Sequence, residues 1–173
     1  MPGLEVIVAD ADGHELQRGS TGELLVRGYS VMQGYLDDPE ATAAAIDERG
    51  FLRTGDLATM DDRGYVRIVG RSKDMLIVGG FNVYPAEVEN TLMGHDAIAQ
   101  VAVIGVPDEV HGEEIVAVVV AGEGVPSGEE ILAYGNEHLG RHKYPRRVEF
   151  VDALPLGPSH KVLKRELRDR FGG

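Results

Sequence analysis

A carboxylate follows a Thr-Gly pair in one segment whose residue types suit contact with a small molecule. Asp56 comes directly after Thr54 and Gly55. A carboxylate in such a turn can accept hydrogen bonds from two neighbouring hydroxyl groups, such as those of a ribose. The alternative is an aspartate that caps the backbone of its own turn, which is the commoner use of this residue. Asp56 is therefore a candidate for nucleotide contact, with a structural alternative.

Three cations lie in polar segments that are expected to be loops. Arg71 and Lys73 belong to residues 70–74, which read Gly-Arg-Ser-Lys-Asp, and Lys161 follows a Pro-, Gly- and Ser-rich stretch. A long cationic side chain on a loop can swing onto a phosphate or a carboxylate. The alternatives are a solvated loop for residues 70–74 and an ordinary surface lysine for Lys161.

Paired glycines, Gly79 and Gly80, separate a short apolar run at residues 75–78 from Phe81. Glycine permits positive φ angles and close approach of the backbone to a ligand. A simple tight turn would need the same residues. The pair therefore indicates either a turn or a wall against which a thin ligand lies.

The first part of the chain is expected to position Asp56 within a small β unit. Its predicted elements are strands at residues 4–9 and 23–27, a helix at residues 39–46 that begins with proline, and a hairpin whose Asp-Asp-Arg-Gly turn joins residues 56–60 to 65–69. Residues 1 to about 70 should thus form a mostly antiparallel sheet.

The pattern changes after residue 70, where helices alternate with longer apolar strands. The predicted elements are helices at residues 85–93 and 162–171, a further helix opened by a capping box at Ser127 and Glu130, and strands at residues 100–106, 115–121 and 148–151. The two unbroken apolar strands imply burial on both faces of a sheet. We therefore expect an α+β fold with a compact second domain.

The boundary between these parts falls in the short polar segment at residues 70–74. It predicts one domain portion at residues 1–72 and a second domain at residues 73–173. A segment this short suits a hinge better than a flexible tether.

Composition limits the classes of partner. The net charge of −12 argues against nucleic acid as the main partner, although residues 141–173 carry nine Lys or Arg against four Asp or Glu. That local excess predicts either contact with a small anion or a solvated basic helix. The absence of cysteine excludes disulfides and thiolate sites. No apolar run of membrane-spanning length and no secretory signal pattern occur, so we expect a cytoplasmic protein.

The ordered set of motifs resembles the adenylate-forming superfamily, which contains acyl-CoA and aryl-CoA synthetases, peptide-synthetase adenylation domains and beetle luciferases. The resemblance covers residues 4–171. It rests on residues 22–28 (Gly-Glu-Leu-Leu-Val-Arg-Gly), 34–36 (Gly-Tyr-Leu), 53–56 (Arg-Thr-Gly-Asp), 70–74 (Gly-Arg-Ser-Lys-Asp), 79–81 (Gly-Gly-Phe), 85–87 (Pro-Ala-Glu) and 161–167 (Lys-Val-Leu-Lys-Arg-Glu-Leu).

The resemblance implies a reaction in two steps. A carboxylic acid and ATP give an acyl-adenylate and pyrophosphate, and coenzyme A then displaces AMP to form a thioester. It implies that Asp56 binds the ribose hydroxyls and that Arg71 contacts ribose or phosphate. It also implies that Lys161 is the catalytic lysine, which reaches the carboxylate and the α-phosphate.

The same resemblance implies a moving domain. Lys73 matches the hinge about which the C-terminal domain rotates between the two steps. Gly79, Gly80 and Phe81 match the loop that lines the path of the CoA pantetheine. No metal ligand is expected in this chain, because the Mg²⁺ of ATP is expected to bind through the N-terminal domain.

One position departs from the family pattern. Ser159 and His160 precede Lys161, where the family usually has Thr-Gly or Asn-Gly. A glycine there suggests a positive φ angle, which would strain a histidine.

The family's phosphate loop, acyl pocket and adenine-binding segment have no counterpart in this sequence. The chain is therefore expected to be the C-terminal portion of a ligase, inactive alone. Its expected partners are ATP, CoA, a carboxylic acid and an N-terminal domain of the same protein. Self-association is also expected, through a surface that this domain would cover.

Three functions remain open. The loop at residues 79–81 and the ending at residues 164–167 favour an acyl-CoA synthetase. The alternatives are an adenylation domain that loads a carrier protein and a binding module without catalytic activity.

Overall fold

The computed structural model describes residues 3–124 and 126–172. The chain divides into two units, Met1–Lys73 and Asp74–Gly173. The described residues form nine β-strands and four α-helices, and each unit has its own sheet. The predicted α+β class is confirmed. That residues 1–72 end one domain and residues 73–173 form a mobile one stays a prediction.

The first unit is an antiparallel sheet of four strands in sequential order. Its elements are β1 (Leu4–Ala9), β2 (Gly22–Gly28), α1 (Pro39–Ala45), β3 (Leu52–Met60) and β4 (Val66–Arg71). Side-chain chemistry fixes the turn between β3 and β4, because Asp61 Oδ1 accepts hydrogen bonds from the amides of Arg63 and Tyr65, each over 2.9 Å. Gly64 completes this predicted hairpin with a φ angle of +84°.

β3 begins at Leu52, earlier than the predicted start at residue 56. Leu52 and Arg53 pair with Val26 and Leu25 of β2, and the register shifts between Glu23 and Leu25. Residues 53–55 are polar or glycine and lack the apolar alternation that is typical of a strand. Pairing of Leu52 and Arg53 with β2 therefore decides where β3 begins.

Within its described residues, 74–124 and 126–172, the second unit contains a mixed five-stranded sheet and three α-helices. Its elements are β5 (Leu76–Val78), β6 (Phe81–Val83), α2 (Pro85–Leu92), β7 (Ile98–Asp108), β8 (Gly112–Ala121), α3 (Gly128–His138), β9 (Arg147–Phe150) and α4 (Lys164–Phe171). The strand order is β6-β5-β8-β7, and β9 pairs with β8 in parallel. The capping box at Ser127 and Glu130 opens α3 as predicted.

Both faces of this sheet are buried, as the unbroken apolar strands predict. Val103 packs in a cluster with Val88 and Leu92 of α2 and Ile131 of α3. Its neighbour Ile104 packs in a second cluster on the opposite face, which includes Leu167 of α4 and Leu154. Successive strand residues point to opposite faces, so α2 and α3 cover one face and α4 covers the other.

α4 begins at Lys164 rather than at the predicted residue 162. Val162 instead forms an antiparallel bridge with Leu156, and the Leu163 amide donates to the Pro155 carbonyl over 2.8 Å. These backbone bonds hold the two residues outside the helix. The apolar residues 162 and 163 are therefore partly buried in the segment before the helix and are not part of the helix.

We expect the second unit to be more stable than the first against local unfolding. Its two core clusters join helices to both sides of a sheet, whereas the first unit has only the one short helix in the described residues. Native-state hydrogen exchange should show slower exchange in β7 and β8 than in β2 and β3. Equal protection in both sheets would contradict this expectation.

Candidate functional site

Asp56 and Arg71 lie opposite each other in the pairing of β3 with β4. Arg71 Nε donates to Asp56 Oδ1 over 2.8 Å, and the Arg71 and Asp56 side chains are 47% and 33% exposed. An ion pair at this exposure adds little stability, roughly 0–1 kcal/mol. The Asp56 carboxylate thus pairs with an arginine on the next strand, unlike a turn aspartate that caps its own backbone. Both groups remain accessible to a ligand.

Glu23 of β2 holds the segment that leads to Asp56. Its Oε1 accepts from the Gly55 amide over 3.1 Å, and its Oε2 accepts from Arg53 Nη1 over 2.9 Å. Gly55 has a φ angle of +71°, which favours glycine. No local pattern indicates this role of Glu23, because its partners lie on another strand far along the chain.

Lys73 lies in a 3₁₀ turn, Ser72–Asp74, that leads from β4 to β5. The residue is exposed and ends the first unit. Short 3₁₀ segments can mark hinges because their hydrogen bonds are few and poorly aligned. The hinge role of Lys73 stays a prediction.

Gly79 and Gly80 form the two-residue turn of the β5–β6 hairpin, in which Val78 pairs with Phe81. Their φ angles are +57° and +81°, as a type I′ turn requires. The Gly79 amide donates to the His111 carbonyl over 2.8 Å. The glycine pair therefore forms a tight turn, and β6 follows directly from it, a strand that the sequence pattern does not indicate.

A cleft of about 510 Å³ lies beside this turn, within the second unit. Phe81 is 52% exposed and stacks on His142, with ring centroids 3.9 Å apart. The lining combines apolar, aromatic and cationic side chains from distant parts of the unit: Val78, Phe81, His111, Ile115, Asn136, Arg141, His142, Tyr144 and Arg146, together with Gly79. Two of the cations from the basic C-terminal segment therefore face this cleft.

The cationic side of the cleft is held in place by local contacts. The Arg146 guanidinium lies 4.5 Å from the centre of the Tyr144 ring. Asp108 Oδ1 accepts from the His111 amide over 2.7 Å and lies 3.0 Å from His111 Nδ1. The His111 backbone amide, helped by its ring nitrogen, lowers the pKa of the Asp108 carboxyl. The resulting carboxylate orients the His111 ring toward the cleft.

Lys161 lies on a closed loop whose two ends are joined by the antiparallel bridge between Leu156 and Val162. The Gly157 amide donates to the Lys161 carbonyl over 2.8 Å. The Lys161 side chain is exposed, and its Nζ has no hydrogen bond or ion pair among the residues that the structure describes. Its backbone is therefore fixed while its amino group stays available. Lys161 does not line the cleft.

His160 has a φ angle of +57°, as the family's glycine at this position led us to expect. The left-handed conformation costs a non-glycine residue on the order of 1 kcal/mol. The loop keeps it because the His160 amide donates to the Gly157 carbonyl over 2.9 Å. The histidine in place of the family's glycine therefore adds strain beside Lys161, and the loop retains the positive φ angle.

Comparison with known proteins assigns a class to this fold and its exposed residues. Residues 87–161 match the family described as the AMP-binding enzyme C-terminal domain. The second unit therefore contains an AMP-binding enzyme C-terminal domain, and the chain as a whole is similar to the C-terminal portion of acyl-CoA ligases. The resemblance found in the sequence is confirmed.

Two ligases and one solved structure illustrate the relationship. The chain is 58% identical over 158 residues to 3-[(3aS,4S,7aS)-7a-methyl-1,5-dioxo-octahydro-1H-inden-4-yl]propanoyl:CoA ligase of Rhodococcus jostii (strain RHA1), covering 91% of this chain and 31% of that protein. It is 46% identical to a long-chain-fatty-acid–CoA ligase of Yersinia pestis, covering 98% of this chain and 30% of that protein. ATP-bound MatB from Rhodopseudomonas palustris matches with a TM-score of 0.93 at 41% identity, over 99% of this chain and 35% of MatB.

The chain spans about a third of the length of these relatives. Among the described residues, none of the helices is long and apolar enough to cross a membrane.

Proposed function

We propose that this chain is the C-terminal portion of an AMP-forming acyl-CoA ligase, called here the parent ligase. The parent ligase would convert a carboxylic acid, ATP and CoA into acyl-CoA, AMP and pyrophosphate. One observation carries the proposal: the second unit presents an available lysine on a closed loop, and separately a cationic cleft beside a glycine turn. Two different surfaces on one unit suit a reaction in two steps.

Lys161 would serve the first step. A carboxylate oxygen attacks the α-phosphorus of ATP, forms a bond to it, and expels pyrophosphate. The attacking group and the phosphate are both anionic, so a cation between them offsets their repulsion and stabilises the transition state. The Lys161 amino group can reach such a position because no described residue binds it.

Asp56 and Arg71 would hold the nucleotide. The partly exposed Asp56 carboxylate would accept hydrogen bonds from the ribose hydroxyls, and Arg71 would contact ribose or phosphate. Their mutual hydrogen bond of 2.8 Å keeps both groups at one place on the strand pair. Preorganised contacts of this kind place the α-phosphate for attack.

The cleft would serve the second step. The CoA thiol gives up its proton and its sulfur attacks the acyl carbon, and AMP leaves with the oxygen that joined it to the acyl group. Gly79, Gly80 and Phe81 would line the path of the pantetheine arm. Arg141 and Arg146, which line the cleft, suit the phosphates of CoA because one guanidinium group can donate two parallel hydrogen bonds to two oxygens of a phosphate.

Lys73 would act as the hinge that exchanges these two surfaces at one acyl site. The Mg²⁺ of ATP would bind through the N-terminal domain of the parent ligase, and the protein would work in the cytoplasm. Self-association of the isolated chain would involve the exposed residues of β4, where Ile68 is 52% exposed.

The isolated chain is expected to make no acyl-CoA. No Ser/Thr/Gly-rich phosphate loop occurs in its sequence, and loss of that preorganisation removes most of the rate enhancement. The measurement is ATP-dependent thioester formation with a panel of fatty and aryl acids. The parent ligase should give acyl-CoA in the same assay. Turnover by the isolated chain would contradict the proposal that it is only part of the catalyst.

A further inference from the structure

An ion pair joins the two helices that lie on opposite faces of the second sheet. Lys164, the first residue of α4, donates from Nζ to Glu89 Oε1 of α2 over 2.6 Å. The Lys164 and Glu89 side chains are only 21% and 22% exposed. Partial burial reduces the screening of this pair by water and salt.

The same Glu89 oxygen also accepts the amide of Val103 over 2.8 Å. Val103 belongs to β7, which ends the strand order of the sheet. Since α2 and α4 cover opposite faces, the side chains of Glu89 and Lys164 meet around this edge. One carboxylate thus joins α2, β7 and α4.

No side-chain cap opens α4. The residue before it, Leu163, makes no side-chain capping bond. A cation in the first turn of a helix is disfavoured by the helix dipole, so Lys164 is better explained by its bond to Glu89 than by the needs of the helix. The helix also buries Leu167, one turn further on.

We propose that Glu89 and Lys164 are positioning residues for Lys161. Only Val162 and Leu163 separate Lys164 from Lys161, and their backbones are bonded to the other end of the loop. Fixing Lys164 therefore fixes the end of the loop from which Lys161 projects. This inference rests on the proposed role of Lys161 in adenylate formation.

The first test measures the loop in this chain alone. Glu89→Gln keeps an oxygen for the Val103 amide but removes the charge, and Lys164→Met keeps the aliphatic stem. Hydrogen exchange at the amides of Gly157, His160 and Leu163 should become about 10-fold faster in each variant, because a charge-assisted hydrogen bond is lost.

Glu87→Gln is the matched control. Glu87 lies on the same helix and pairs with Lys143 over 2.8 and 2.9 Å, so its loss should leave the loop amides unchanged. Unchanged loop exchange in Glu89→Gln and Lys164→Met would overturn the proposal. So would a uniform rise over the whole unit, or loss of the fold in both variants, because the pair would then serve stability alone.

The second test uses the parent ligase. Glu89→Gln and Lys164→Met should lower kcat for adenylate formation about 10-fold, leave KM for ATP unchanged and spare thioester formation from supplied acyl-adenylate, as expected when a reacting group is misplaced by a small distance. Lys164→Arg should restore kcat. If the unmodified parent ligase is active and both variants form adenylate at its rate, the proposal is overturned. An unmodified parent ligase without adenylation would instead refute the proposed function.

Discussion

Replacing Lys161 with alanine in the parent ligase should slow adenylate formation by on the order of 100-fold or more, as expected when one preorganised electrostatic partner is lost. The loop should keep its shape, because its hydrogen bonds at Gly157, His160 and Leu163 are made by backbone atoms. The measurement is pyrophosphate exchange into ATP that depends on the carboxylic acid.

The same variant should form thioester from supplied acyl-adenylate and CoA at a nearly normal rate, because Lys161 does not line the cleft. Arg165→Ala is the matched control: it removes a nearby exposed cation from the first turn of α4 and should leave adenylation unchanged. If folded Lys161→Ala enzyme were slow in both steps to the same degree, the role assigned to Lys161 would be wrong.

Gly79→Leu should have the opposite effect and slow thioester formation by on the order of 100-fold, because misplacement of a reacting group by about 1 Å can cost that much. Gly79 lines the cleft, and a Cβ there would lie 3.7 Å from the His111 ring. The remaining leucine atoms would then occupy the space proposed for pantetheine. Single-turnover reaction of supplied acyl-adenylate with CoA measures this step.

Backbone strain needs its own control, because Gly79 has a φ angle of +57°. Gly64→Leu provides it, since Gly64 has a φ angle of +84° in the β3–β4 turn and a Cβ there meets no atom within 4 Å. This variant should carry a comparable strain and still form thioester. Equal loss of thioester formation in both variants would assign the effect to strain and refute the pantetheine path at Gly79.

Local chemistry in the sequence predicted much of the fold. The Asp61 turn, the capping box at Ser127 and the unbroken apolar strands all depend on residues close together in the chain, and the structure contains each of them. The expected positive φ angle at His160 came from comparison with a family pattern, and the structure has it. The predicted starts of β3 and α4 were wrong because backbone pairing overrides the local pattern, with β2 in the first case and with residues 155–156 of the same loop in the second.

The cleft and the Glu89–Lys164 pair could not be predicted because their residues lie far apart along the chain. Phe81 and His142 stack face to face, yet α2, β7, β8 and α3 lie between them along the chain. Nothing in the residue types near Glu89 indicates that its partner opens the last helix. The Glu89–Lys164 contact follows from the packing of α2 and α4 on opposite faces of one sheet.

Isotope transfer tests the central claim, which is that this chain is part of an enzyme that activates carboxylic acids as acyl-adenylates. The parent ligase would be given a carboxylic acid labelled with ¹⁸O in both carboxylate oxygens, together with ATP and CoA, and the AMP would be examined by mass spectrometry. The account predicts AMP that carries one ¹⁸O atom, because the carboxylate oxygen bonded to phosphorus leaves with AMP. Unlabelled AMP, or label in pyrophosphate or inorganic phosphate, would contradict it.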